Sequence, residues 1–126
     1  MGEAVEAYAK LWGRDMGSLT LHDADERGSK PFCAFVTKLP CKLGRPTTSE
    51  APDVVLDHKS LSRHHATIDQ HGNGPQLEIQ IHGKNGVVLN GDFIGKGETR
   101  VLESGSTLKM GPYCVYFLPA LASQCE

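Results

Sequence analysis

Residues 77–94 read LEIQIHGKNGVVLNGDFI, and their pattern decides the fold class. Leu77, Ile79 and Ile81 alternate with Glu78 and Gln80. Successive side chains of a strand point to opposite faces, so three apolar groups share one face of a half-buried strand. A second apolar run, Val87-Val88-Leu89, follows a glycine-rich break and leads into Leu89-Asn90-Gly91-Asp92. That last stretch predicts a hairpin, because a type I′ turn needs positive φ at both central residues and Asn-Gly supplies it.

The same rhythm extends outward in both directions. Short apolar segments, each closed by a turn signal, predict strands near 32–36, 41–44, 53–56, 65–69, 77–81, 87–89, 93–94, 100–102, 107–110 and 113–118. Gly72-Asn73-Gly74-Pro75 and Met110-Gly111-Pro112-Tyr113 mark two further reversals. A series of short strands with regular turns is the pattern of an all-β sandwich or barrel. Tyr8, Phe32, Phe35, Phe93, Tyr113, Tyr116 and Phe117 mostly fall in these strands and are expected in the core. The N-terminus reads two ways. Residues 3–11 have helix-forming composition, with Ala4, Tyr8 and Leu11 on one helical face, yet Tyr8, Lys10 and Trp12 also alternate with Ala7, Ala9 and Leu11 as in a strand. Residues 19–31 are polar, with Asp23, Asp25, Glu26, Gly28 and Ser29, and read as a loop.

Composition narrows the function classes. The chain has 126 residues, which suits one domain with a core that needs no staples. Its formal net charge of −2 lacks the basic footprint of a general nucleic-acid or membrane binder. No apolar run approaches the roughly 20 residues that cross a bilayer, and residues 1–10 lack the build of a secretory signal. Cys33, Cys41, Cys114 and Cys125 form no C-x-x-C pair and read as reduced thiols of an intracellular protein.

Three clusters at predicted strand ends carry the chemistry: Gly44-Arg45, Ser62-Arg63-His64-His65 and Lys84-Asn85-Gly86. A sandwich gathers such loops at its edges. Arg45 offers a planar fork to two phosphate oxygens. Ser62 adds a hydroxyl, Arg63 and Lys84 add cationic donors, and the Asn85 amide suits an extended peptide backbone. Gly44 and Gly86 fit places where the chain turns or is closely approached. Competing chemistries fare worse. Ser62 and His65 lack the separately placed acid and oxyanion donors of a catalytic triad. His22, His58, His64, His65, His71 and His82 show no cysteine–histidine zinc spacing. Gly83-Lys84-Asn85-Gly86 lacks the longer glycine frame of a P-loop. No enzyme, metal or cofactor is expected.

The order Gly44-Arg45, Ser62-x-x-His65, Asn85-Gly86 resembles the signature of forkhead-associated (FHA) domains. Asp53-Val54-Val55-Leu56 and Gly105-Ser106-Thr107-Leu108-Lys109-Met110-Gly111 agree with it. Ala7-Tyr8-Ala9-Lys10-Leu11-x-Gly13, Gly83-Lys84-Asn85-Gly86-Val87 and Phe117-Leu118-Pro119 are similar to the variant attached to certain fork-head transcription factors. The resemblance implies an all-β, eleven-stranded, two-sheet sandwich (FHA/SMAD-like). It makes residues 7–11 the first strand and 7–119 the domain, with 19–31 as an inserted loop, 1–6 an N-terminal extension and 120–126 a C-terminal tail. It further implies phosphothreonine-dependent binding of a partner protein in nuclear signalling or transcription-linked regulation, with no small-molecule substrate. By the same resemblance Arg45 and Ser62 bind the phosphate, assisted by Arg63; Asn85 holds the peptide backbone, His65 braces the serine loop and Gly44 shapes the first loop. Two residues depart from the pattern: Lys84 stands where many members have Thr or Ser, and Pro46 restricts Arg45 to extended backbone. The alternative is a phosphate-independent scaffold that docks a partner through another sandwich surface.

Overall fold

The computed structural model describes residues 8–16, 30–74 and 76–119. They form eleven strands: β1 (Ala9–Asp15), β2 (Lys30–Val36), β3 (Cys41–Gly44), β4 (Val54–Val55), β5 (Ala66–Gln70), β6 (Leu77–Ile81), β7 (Val87–Leu89), β8 (Asp92–Ile94), β9 (Thr99–Leu102), β10 (Ser106–Met110) and β11 (Tyr113–Pro119). One sheet has six strands in the order β2-β1-β11-β10-β7-β8, and the other five in the order β4-β3-β5-β6-β9. Every pairing is antiparallel except β3 with β4.

Alternation builds the core between the sheets. Leu77, Ile79 and Ile81 are buried on β6, while Glu78 and Gln80 stay on the outer side. Leu11, Leu108, Met110, Val115 and Phe117 from the six-stranded sheet meet Leu43, Ile68, Ile79 and Ile81 from the other. Each such side chain stabilises the fold by about 1.5–3 kcal/mol relative to exposure. The hairpin at 89–92 has the expected turn, with φ of 53° at Asn90 and 87° at Gly91. Cys33, Cys41 and Cys114 carry free thiols. Burial, reinforced by the Asp53 charge, pushes the Cys41 thiol up to about 11, so it stays protonated and unreactive.

Several expectations need correction. The N-terminal segment is the strand that the resemblance implies and not the helix that propensity favours, but it runs on past Leu11 to Asp15, over Ala9–Asp15; Ala7 lies outside the described residues. It pairs with β11 on one side and β2 on the other, and ladder bonds on both edges outweigh its helical propensity. β2 begins at Lys30, inside the segment read as a loop. The rest of that loop, the extension 1–6, the tail 120–126, Pro75 and Cys125 lie outside the described residues. Most aromatics read as core are not in it: only Tyr113 and Phe117 are buried and Phe32 packs against the core, whereas Tyr8, Phe35, Phe93 and Tyr116 are exposed. Phe35, Phe93 and Tyr116 occupy outward positions of their strands and Tyr8 precedes β1, and alternation alone does not say which face a sheet buries.

Candidate functional site

Three strand ends deliver the three predicted loops. β3 hands over from Gly44 to Arg45, residues 62–65 lead into β5, and residues 84–86 join β6 to β7. Hydrogen bonds tie the first two loops together. The Arg45 amide donates to the Ser62 carbonyl at 3.1 Å, and the His65 amide donates to the Leu43 carbonyl at 2.9 Å. A Cβ at position 44 would lie 2.0 Å from the Arg63 carbonyl oxygen, so this approach of two backbones requires glycine. Asn85 Nδ2 donates to the Ser60 carbonyl at 2.8 Å and ties the third loop to the second.

His65 holds the cluster from beneath. It is fully buried, and both ring nitrogens are used. Nδ1 accepts from the Ser62 amide at 3.1 Å, so Nε2 carries the proton and donates to the Gly86 carbonyl at 2.9 Å. Its own carbonyl accepts from the His82 and Gly83 amides at 2.9 and 3.0 Å. Gly86 has φ of 67°, a left-handed conformation that favours glycine. One side chain therefore couples the serine loop to the asparagine loop across 21 residues of sequence.

The outer side of the cluster is different. Arg45 is half-buried, and its Nε is shielded from solvent with no hydrogen-bond partner. Ser62 is also half-buried, while Arg63, Lys84 and Asn85 are exposed. Among the described residues no hydrogen bond or ion pair engages the side chains of Arg45, Ser62, Arg63 or Lys84. An unpaired buried N–H is uncommon and calls for an explanation. Three cations and a hydroxyl without a carboxylate partner are suited to an oxyanion, and bidentate arginine recognition suits phosphate in particular. Arg45, Arg63 and His64 also line a cleft of about 1030 Å³ whose other wall includes Lys38, Lys42 and Asp53. Asp53 is already engaged, by the Lys42 amide at 2.9 Å and the Lys38 ammonium at 3.3 Å. Burial pushes its carboxyl up, but these two partners outweigh that and hold it below its ordinary value. No group of three metal-ligating side chains occurs among the described residues.

Two contributors escaped the sequence reading. Gly83 lies flat on the His65 ring, where a Cβ would sit 2.1 Å from Nδ1; its place beside Lys84-Asn85-Gly86 was the available signal. Behind the serine loop, Thr67 Oγ1 bridges His64 Nε2 at 2.7 Å and His82 Nε2 at 3.0 Å, and the two imidazoles lie 4.1 Å apart. Burial, then the neighbouring His64 and His65, lowers the pKa of His82.

Comparison with known proteins bears on this geometry. The sequence profile of the FHA domain matches residues 41–111, from the start of β3 to the turn after β10. Fork-head transcriptional regulator FHL1 of Candida albicans is 33% identical over 85 residues, covering 64% of this chain and 7% of its own length. Fork head protein homolog 2 of Schizosaccharomyces pombe is 26% identical over 132 residues, 95% of this chain and 18% of its own length. The chain thus spans only a small part of either curated relative. Among solved structures, the MEK1 FHA domain in complex with a HOP1 phosphothreonine peptide superimposes with a TM-score of 0.59. It is 18% identical and aligned over 91% of this chain and 99% of that one.

Proposed function

The chain belongs to the FHA domain family, a family of phospho-motif readers, and on that premise we propose that it binds a phosphothreonine-containing segment of a partner protein. The carrying observation is the set of donors at the loop end: the side chains of Arg45, Ser62, Arg63 and Lys84 have no partner among the described residues, while His65 behind them uses both ring nitrogens. A phosphothreonine carries about −1.5 to −2 charges near neutral pH. In this reading Arg45 and Ser62 bind the phosphate, Arg63 and Lys84 add charge, and Asn85 holds the peptide backbone. Asn85 uses one amide hydrogen on Ser60, which leaves its other hydrogen and its carbonyl oxygen for the peptide. The protein acts by binding and has no reaction of its own. The fork-head names of the two curated relatives support a nuclear, transcription-linked setting.

Fluorescence polarisation with a degenerate phosphothreonine peptide library, its unphosphorylated twin and an Arg45→Ala control tests the reading. The expected result is phosphate-dependent binding near micromolar Kd, about −8 kcal/mol, that is lost in the control. Equal binding of the two libraries would sink it and favour a phosphate-independent scaffold.

A further inference from the structure

The outer face of the six-stranded sheet carries a pattern that phosphopeptide binding does not use. Trp12, Phe35 and Tyr116 are 51%, 54% and 48% exposed. They are contiguous: Trp12 stands opposite Tyr116, with ring centroids 6.4 Å apart, and Lys10 stands between Phe35 and Leu118. Apolar patches of this kind on a soluble domain mark interaction surfaces. The charges interleaved with them have one sign. The outward positions of β1, β2, β11 and β10 hold Lys10, Arg14 and Lys109 and no carboxylate, although the chain as a whole is acidic. Lys10 and Lys109 have no side-chain partner among the described residues.

We propose that this face is a second docking surface, for an extended acidic polypeptide segment in which carboxylates alternate with large apolar side chains. Lys10, Trp12 and Arg14 occupy alternate positions of β1, about 7 Å apart. An extended segment laid along β1 has the same repeat, so acid-x-apolar matches the Lys10 ammonium and the Trp12 indole in turn. Charge complementarity selects this occupant over two others. A second copy in a two-fold contact would set the same cations against one another with no carboxylate to meet them. Single-stranded nucleic acid stacks on aromatic sheet faces, but it demands a denser basic footprint than three cations on an acidic chain.

The test uses a fluorescein-labelled peptide, Glu-Ser-Leu-Ser-Glu-Ser-Phe-Ser-Glu, its lysine-for-glutamate twin and an oligo-dT strand. Affinity is read by polarisation and the binding site by amide and indole NMR shifts. The acidic peptide is expected to shift the Trp12 indole and Tyr116 signals. It should lose about tenfold or more in affinity in the doubly reversed Lys10→Glu, Lys109→Glu variant. That variant should melt normally and keep its phosphopeptide binding, which separates this surface from the loop site. The proposal is overturned by shifts confined to residues 62–65 and 84–86, or by equal binding of the lysine twin. It is equally overturned by preferential binding of oligo-dT, self-association through the face, an unaffected reversal variant, or no shift at millimolar peptide.

Discussion

Two layers of the same loops behave in opposite ways. The inner layer, His65 with Gly44, Gly83 and Gly86, is buried and has its hydrogen bonds complete. The outer layer, Arg45, Ser62, Arg63 and Lys84, holds side-chain donors without partners among the described residues. Ser62 and His65 are three residues apart, yet one is half-buried at the surface and the other is fully buried. The contrast teaches how a loop can be rigid and still have free valence: support comes from beneath, so contact groups need no internal partner to stay in place.

The largest effect should come from breaking the inner layer. His65→Ala removes a buried ring and the partners of the Ser62 amide and Gly86 carbonyl, and should cost about 2–5 kcal/mol of stability together with binding. Urea unfolding checks it, and a normal unfolding midpoint with lost binding would contradict the bracing role. Gly83→Ala drives a methyl into the imidazole and should cost about 1–3 kcal/mol. Most of that cost should vanish in the His65→Ala background, where the ring is absent. Additive losses would show that Gly83 acts elsewhere.

The outer layer should respond the other way. Arg45→Ala should weaken phosphopeptide binding about ten- to a hundred-fold, the value of one charge-assisted hydrogen bond, with the unfolding midpoint nearly unchanged. Collapse of the fold would make that arginine structural. The smallest effect concerns acid. Because burial and its histidine neighbours lower the His82 pKa, the unfolded chain takes up that proton first as pH falls below about 6.5. The contribution is therefore intact above that pH and is lost progressively below it. Chemical denaturation at pH 7.5 and 5.5 should show lower stability at 5.5, with the difference reduced in His82→Gln.

The sequence made the sandwich legible where one face was apolar and the other polar. β6 is the clear case, and Asn90-Gly91 announced its turn through backbone chemistry alone. β1 was ambiguous for a physical reason. Ala9 and Leu11 face the core while Trp12 lies on the outer face between Lys10 and Arg14, so an aromatic interrupts the polar face and weakens the two-residue period. The misplaced aromatics are a related case, since Phe35 and Tyr116 sit in strands but on the face that no second layer covers among the described residues. In the loops, residue types and order pointed to Arg45, Ser62, His65 and Asn85. Close contacts between distant backbones, Gly44 on Arg63 and Gly83 on His65, appear only in three dimensions.

The most direct test of the account is a double-mutant cycle between the ligand's phosphate and Arg45. One peptide from the library, with phosphothreonine or threonine, would be titrated calorimetrically into the native protein and into Arg45→Ala. The account predicts a coupling of about 1.5–3 kcal/mol, with phosphate mattering far less once the arginine is gone. A coupling near zero, with the phosphate still favoured equally by both proteins, would contradict it.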